Sequence, residues 1–114
     1  IIQLLIIFLA VLMLTYRPAK GLEITFVDVG QGDCIFIETP VGKHYLIDGG
    51  SSSENSVGKY TIQPYLKYKG ADRIDAVFLT HLDSDHISGI VEFWNLFVKV
   101  QNMYDDPYFF VPEP

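Results

Sequence analysis

Four residues of metal-binding type are crowded into six positions: His81, Asp83, Asp85 and His86, within Thr80-His81-Leu82-Asp83-Ser84-Asp85-His86. Imidazoles and carboxylates are the side chains that hold zinc, manganese or iron. In an extended or looped segment alternate residues point the same way, so His81, Asp83 and Asp85 can converge, with His86 coming round at a helix start. The loop must be tight, because ligand atoms lie about 2 Å from a shared ion. Two ions about 3.5–4 Å apart would polarise a substrate oxygen and activate water between them. The plainer reading is an acidic strand-to-helix loop with Ser84 or Asp85 as N-cap. An isolated His or Asp-Ser-Asp would deserve that reading; four ligand-type residues at one strand end favour metal.

The elements that must position this run can be read on either side of it. Residues 74–79 are nearly all apolar and predict a strand covered on both faces, ending where the His motif begins. A helix over about 87–97 would align Ile87, Ile90, Val91 and Trp94. Val98 and Val100 suggest a further strand, followed by a loose tail rich in Tyr, Phe and Pro. Upstream, residues 22–27 alternate apolar with polar, which suits a half-buried strand. Asp28-Val29-Gly30-Gln31-Gly32-Asp33 is a turn; residues 34–38 and 45–47 are two more strands joined by a hairpin-length link, and the third ends at Asp48-Gly49-Gly50. The three predict an antiparallel meander. After a polar loop at 51–56, a short helix at 61–69 accommodates Pro64 only in its first turn and ends at Gly70, burying Ile62, Tyr65 and Leu66.

The chain has 114 residues, enough for one small domain. At 49% hydrophobic and 14% aromatic it has the apolar surface to offset chain entropy, which excludes disorder. The formal net charge of −6 shows no basic nucleic-acid face and weighs mildly against a phosphate substrate, although bound cations would reverse the local sign at a carboxylate-rich site. Cys34 is the single cysteine, so no intrachain disulfide exists, and a small core residue is a better reading of it than a nucleophile. Residues 1–16 are a continuous apolar run. As a helix it would span roughly 24 Å, about one turn short of a bilayer core of about 30 Å. A transmembrane helix is expected, against a signal peptide, which lacks its basic region and cleavage site here, or a buried core helix. Residues 17–21 form a Pro/Gly linker. A start at Ile1-Ile2 without Met is expected of a piece of a longer protein.

The run from Thr80 to Gly89 resembles the H-x-[HD]-x-D-H signature of the metallo-β-lactamase superfamily. Phe26-Val27-Asp28-Val29-Gly30-Gln31-Gly32-Asp33, then Leu46-Ile47-Asp48-Gly49-Gly50, then the apolar strand before His81 agree with it in order and spacing. The D-V-G-Q-G-D form, Asp83 at the third motif position and the apolar segment resemble the C-terminal hydrolase domain of ComEC-type DNA-uptake proteins. The resemblance covers about residues 22–97. It implies an α+β, αββα sandwich, of which 22–114 would be the N-terminal half, with the site at one edge. It implies two divalent metal ions, Zn or Mn, with His81 and Asp83 facing one and Asp85 and His86 the other. Asp83 stands where most members have His; a harder, more anionic site would favour Mn or Mg, or the first site would be weak, leaving Asp85 as the catalytic base beside a single metal.

Asp48 matches a family position that supports the metal loop, which differs little from a turn carboxylate at a strand end. Asp28 and Asp33 flank a turn that either is structural or lines the site. His44 has no ligand-type neighbour in the sequence and reads as structural. Trp94 and the phenylalanines read as core; Tyr104, Tyr108, Phe109 and Phe110 would pack on the missing half of the fold or lie exposed. The superfamily's later ligands are absent, since no His follows His86. The expected parent is a multi-pass cell-membrane protein whose hydrolase domain faces outward and cleaves phosphodiester bonds of DNA, alongside other competence proteins. A weakly catalytic DNA-binding or gating module, and another membrane-anchored hydrolase of the superfamily, are the alternatives. Half a sandwich would leave apolar sheet surface exposed and reduce solubility.

Overall fold

The computed structural model describes residues 1–16, 21–71, 73–100 and 108–113, and for 93–100 the backbone alone. The apolar start forms helix α1 (Ile2–Thr15), with every residue exposed. Fourteen residues at about 1.5 Å each fall well short of a bilayer core, and no helix among the described residues is long and apolar enough to cross a membrane. All of the linker but Gly21 lies outside the described residues.

Three short strands, β1 (Glu23–Phe26), β2 (Ile35–Glu38) and β3 (His44–Ile47), make the expected antiparallel meander, with Ile24 opposite Ile37 and Phe36 opposite Leu46. β4 (Ala76–Phe78) then adds parallel to β3 and β5 (Tyr108–Phe110) parallel to β4, giving one mixed sheet in the order β1-β2-β3-β4-β5. Parallel neighbours need crossovers. The first is a π-helical turn at Gly58–Ile62 that continues into α2 (Gln63–Tyr68), with Pro64 tolerated in the first turn. The second includes α3 (Ser84–Val100).

Phe36, Leu46 and Val77 point to the helical face, where they bury with Val57, Ile62, Leu66 and Ile90. The period of two sends Ile24, Phe26, Tyr45, Phe78 and Phe110 to the opposite face. There Phe78 stacks on Phe110 with centroids 4.7 Å apart, and Tyr45 meets Phe78 edge-on. Among the described residues this face stays open: Phe26 is 77% and Phe110 53% exposed.

Three expectations are corrected. Val98 and Val100 belong to α3, because two alternating valines do not outweigh a helix already propagating. The tail is not loose throughout: Tyr108–Phe110, rich in strand-favouring aromatics, pairs with β4 through Tyr108 N–H to the Asp75 carbonyl and Leu79 N–H to the Phe110 carbonyl. β4 is covered on both faces only at Ala76 and Val77, 5% and 3% exposed, since Phe78 projects to the open side at 37% exposure.

Candidate metal centre

The sheet brings three connections to one edge. β2 runs antiparallel to β3, so the β1–β2 turn lies beside the segment that follows β3. β4 runs parallel to β3, so its own exit lies there too. Ligands gather at such carboxyl ends of strands because diverging connections leave a crevice.

Asp48 is the hub. It is 3% exposed and adopts φ of 56°, a left-handed conformation that Asp tolerates better than most side chains. Its N–H donates to the Phe78 carbonyl at 2.8 Å. Oδ1 accepts the Thr80 N–H at 2.8 Å, and Oδ2 accepts both the Thr80 hydroxyl and His86 Nδ1, the latter at 3.0 Å. The next residues lock onto α3: Gly49 N–H donates to the His86 carbonyl at 2.7 Å, and Ile90 N–H to the Gly49 carbonyl at 3.0 Å. At Gly50 a Cβ would stand 2.6 Å from the Ser84 carbonyl oxygen and the Ile87 nitrogen, and at Gly32 it would stand 2.1 Å from the Gly50 oxygen. Both positions need glycine because three backbones stack there. Asp33 N–H donates to the Asp85 carbonyl at 3.1 Å, and Gly50 N–H to the Asp33 carbonyl at 3.2 Å. Ser88 closes the seam: its hydroxyl accepts the Ser51 N–H at 3.0 Å and donates to the Ser51 carbonyl at 3.2 Å.

His86 is brought into this frame with its side chain 14% exposed. Nδ1 lies 3.6 Å from Asp33 Oδ2, and Nε2 lies 3.6 Å from Asp85 Oδ2. The hydrogen bond that its ring donates to Asp48 raises its pKa above the ordinary histidine value; burial opposes this, and the charges of Asp48, Asp85 and Asp33 reinforce it. His81 is exposed, its ring centroid 4.9 Å from that of His86 and its Nδ1 3.2 Å from Thr80 Oγ1. Asp83 is exposed, and its carbonyl accepts the His86 and Ile87 N–H groups at 2.9 and 3.1 Å, opening α3. Asp28 Oδ1 accepts the Gly30 N–H at 3.1 Å and shapes the turn.

Among the described residues, Asp33, Asp48 and His86 bring ligand-type atoms within 4.8 Å of one another. His81, Asp83 and Asp85 stand outside that group, although Asp85 reaches His86 from the Nε2 side. The donor chemistry fits a divalent cation. Asp48 already accepts three hydrogen bonds and suits the role of orienting His86; Nδ1–H then faces Asp48, and in the neutral ring Nε2 is the nitrogen that carries the lone pair. Asp33 and Asp85, with side chains 63% and 42% exposed, open this edge to solvent.

His44 gains a ligand-type neighbour that the sequence did not show. Folding places Glu38, 7% exposed, with Oε2 3.0 Å from His44 Nε2, while Nδ1 faces the Arg73 carbonyl at 3.0 Å. This pair lies at the opposite end of β3 and joins strands, as a structural role requires; the carboxylate neighbour sits on the adjacent strand, six residues away in sequence. Cys34 is buried, and burial, with a contribution from Asp48, pushes its thiol up to about 12, which suits a core residue. The Trp94 side chain and Tyr104 lie outside the described residues. Sequence reasoning missed Thr80 and Ser88 as site supports. A hydroxyl directly before His81 was a usable signal for the first; the second depends on a contact 37 residues away in sequence.

A model of the metallo-β-lactamase superfamily matches residues 27–112, which include each of these connections. The chain belongs to the metallo-β-lactamase superfamily. It is similar to ComE operon protein 3 of Bacillus subtilis (strain 168), 38% identical over 78 residues that cover 57% of this chain and 10% of that protein. It is also similar to Competence protein ComA of Neisseria gonorrhoeae, 36% identical over 79 residues that cover 66% of this chain and 11% of the relative. The chain thus spans about a tenth of the length of these relatives. No solved structure matches it. Membership of the superfamily implies divalent metal binding, and the mixed sheet with its helices agrees with the superfamily's α+β fold.

Proposed function

We propose that this chain is part of a metal-dependent hydrolase domain that cleaves phosphodiester bonds of DNA in a membrane-tethered competence protein of ComEC type. The observation that carries the reading is the line Asp48–His86–Asp85. A buried carboxylate binds Nδ1 of His86, and Nε2 on the far side of the ring faces the carboxylate of Asp85. Such carboxylate–imidazole pairs orient histidine ligands and raise their basicity.

In this reading Asp85 and His86 would hold one Zn or Mn ion and His81 and Asp83 would hold a second, with Asp33 at the rim. A divalent cation there supplies Lewis acidity toward a phosphoryl oxygen and lowers the pKa of water. The chain's own groups do the rest. Asp48 fixes the His86 ring, Asp85 takes the proton of the attacking water, and the Gly32–Gly50 stack holds both loops against α3. The competence names of the two relatives support a DNA-uptake role with other competence proteins as partners. The fully exposed apolar α1 supports a tether, with 1–16 as the end of a membrane region, 17–21 a linker and 22–114 the partial domain, facing outward from the cell membrane. The exposed position of Asp83 favours one rival, a weakly catalytic DNA-binding or gating module with a poor first metal site.

The test is to express the parent's complete hydrolase domain and measure bound metal and DNA cleavage beside a His81→Ala, Asp85→Ala double variant. Stoichiometric metal and metal-dependent cleavage, both lost in the variant, are expected. A well-folded complete domain with neither would overturn the proposal in favour of the gating module.

A further inference from the structure

We propose that Thr80 is a positioning residue whose hydroxyl fixes the ring tautomer of His81, so that Nε2 carries the lone pair offered to the metal; this deepens, and rests on, the function proposed above. Thr80 Oγ1 and Asp48 Oδ2 are in hydrogen-bond contact, and a carboxylate only accepts, so the hydroxyl proton lies on the line to Asp48. Thr80 Oγ1 has no second proton. Its contact with His81 Nδ1 at 3.2 Å is therefore one in which the imidazole donates. A neutral His81 is thereby held as the Nδ1–H form, with Nε2 the unprotonated nitrogen. His86 reaches the same form directly, since its Nδ1 donates to Asp48 Oδ2 at 3.0 Å. A single carboxylate, 3% exposed, thereby sets both imidazoles, one through its own oxygen and the other through Thr80. Thr80 Oγ1 also lies 3.4 Å from His86 Nδ1, which places the hydroxyl between the two rings. The backbone half of the arrangement, Thr80 N–H to Asp48 Oδ1, needs no side chain, so removing the hydroxyl separates tautomer control from loop geometry.

The chain has three histidines, His44, His81 and His86, which makes 15N-histidine magic-angle-spinning NMR of the 114-residue chain readable residue by residue even in a self-associated sample. Spectra of metal-free protein above the ordinary imidazole titration range report the tautomer of each ring, and titration with Zn2+ and with Mn2+ reports affinity. The native chain is expected to show His81 as Nδ1–H. Thr80→Val, which keeps the shape, is expected to convert His81 to a mixture rich in Nε2–H and to weaken metal binding about 10-fold; Thr80→Ser is expected to restore both. An Nε2–H His81 in the native chain overturns the proposal whether or not the variants fold. So does a folded Thr80→Val chain with an unchanged His81 tautomer. Failure of the native chain to bind either metal would leave both readings standing on their own tests, because the later ligands lie outside this sequence and the tautomer spectra alone decide the role of Thr80.

Discussion

Asp48 carries more of the site than any other side chain. It is buried, left-handed in backbone conformation, and engaged by Thr80 and His86. Its bond to His86 links stability to pH with a definite sign. The folded-state pKa of His86 is raised above its ordinary value, which is about 6.5. The resulting stabilisation of metal-free protein is fully present below about 6.5 and is lost as pH rises through the raised folded value. Denaturant midpoints measured in chelator across that window should fall with rising pH, and His86→Gln should remove part of the slope. An identical slope in the variant would contradict this linkage. Metal affinity should run the other way, rising with pH as the proton on Nε2 is lost.

At the scale of elements, the site depends on α3 being held against the first crossover. Glu92 of α3 accepts the Gly58 and Lys59 N–H groups at 3.1 Å each, so the open end of the π turn is capped from another element. A Cβ on Gly58 would lie 2.4 Å from the Gly89 carbonyl oxygen, a measure of how closely the two elements approach. Glu92→Ala should lower unfolding free energy by about 1–2 kcal/mol. Urea titration should show a lower midpoint with an unchanged slope, and a change within about 0.5 kcal/mol, the usual range for neutral surface sites, would mean the cap is energetically idle. The short helix and α3 were both legible in the sequence, from Pro64, Gly70 and the spacing of Ile87 and Ile90, whereas Val91, expected on the same apolar face, is 63% exposed. The cap was not, because its donors and acceptor are 33 and 34 residues apart.

At the scale of the whole molecule, the sheet has one covered face and one that the described residues leave open. Ile24 and Phe26 show how the sequence pattern was satisfied only in part: they alternate as a half-buried strand should, yet their side of β1 is exposed at 53% and 77%. The chain on its own should therefore self-associate and bind a fluorescent apolar dye, and Phe26→Lys with Phe110→Lys should reduce both while leaving the far-ultraviolet circular dichroism unchanged. A monodisperse native chain with no dye binding would show that this face is not the source of association.

The sequence by itself determined the ligand-type cluster, the strand before it, the meander and the superfamily, since each rests on residue types and spacings within a short window. Only tertiary structure decided that Asp33 would stand 3.6 Å from His86, that Thr80 would share a carboxylate with it, that Glu38 would meet His44, and that the aromatic tail would become β5. These contacts join segments separated by crossovers, and a linear pattern carries no information about which strand a crossover will return beside. The same physics explains the glycines: the sequence marked Gly32 and Gly50 as turn residues, while the fold made them the points where three backbones pass too closely for any side chain.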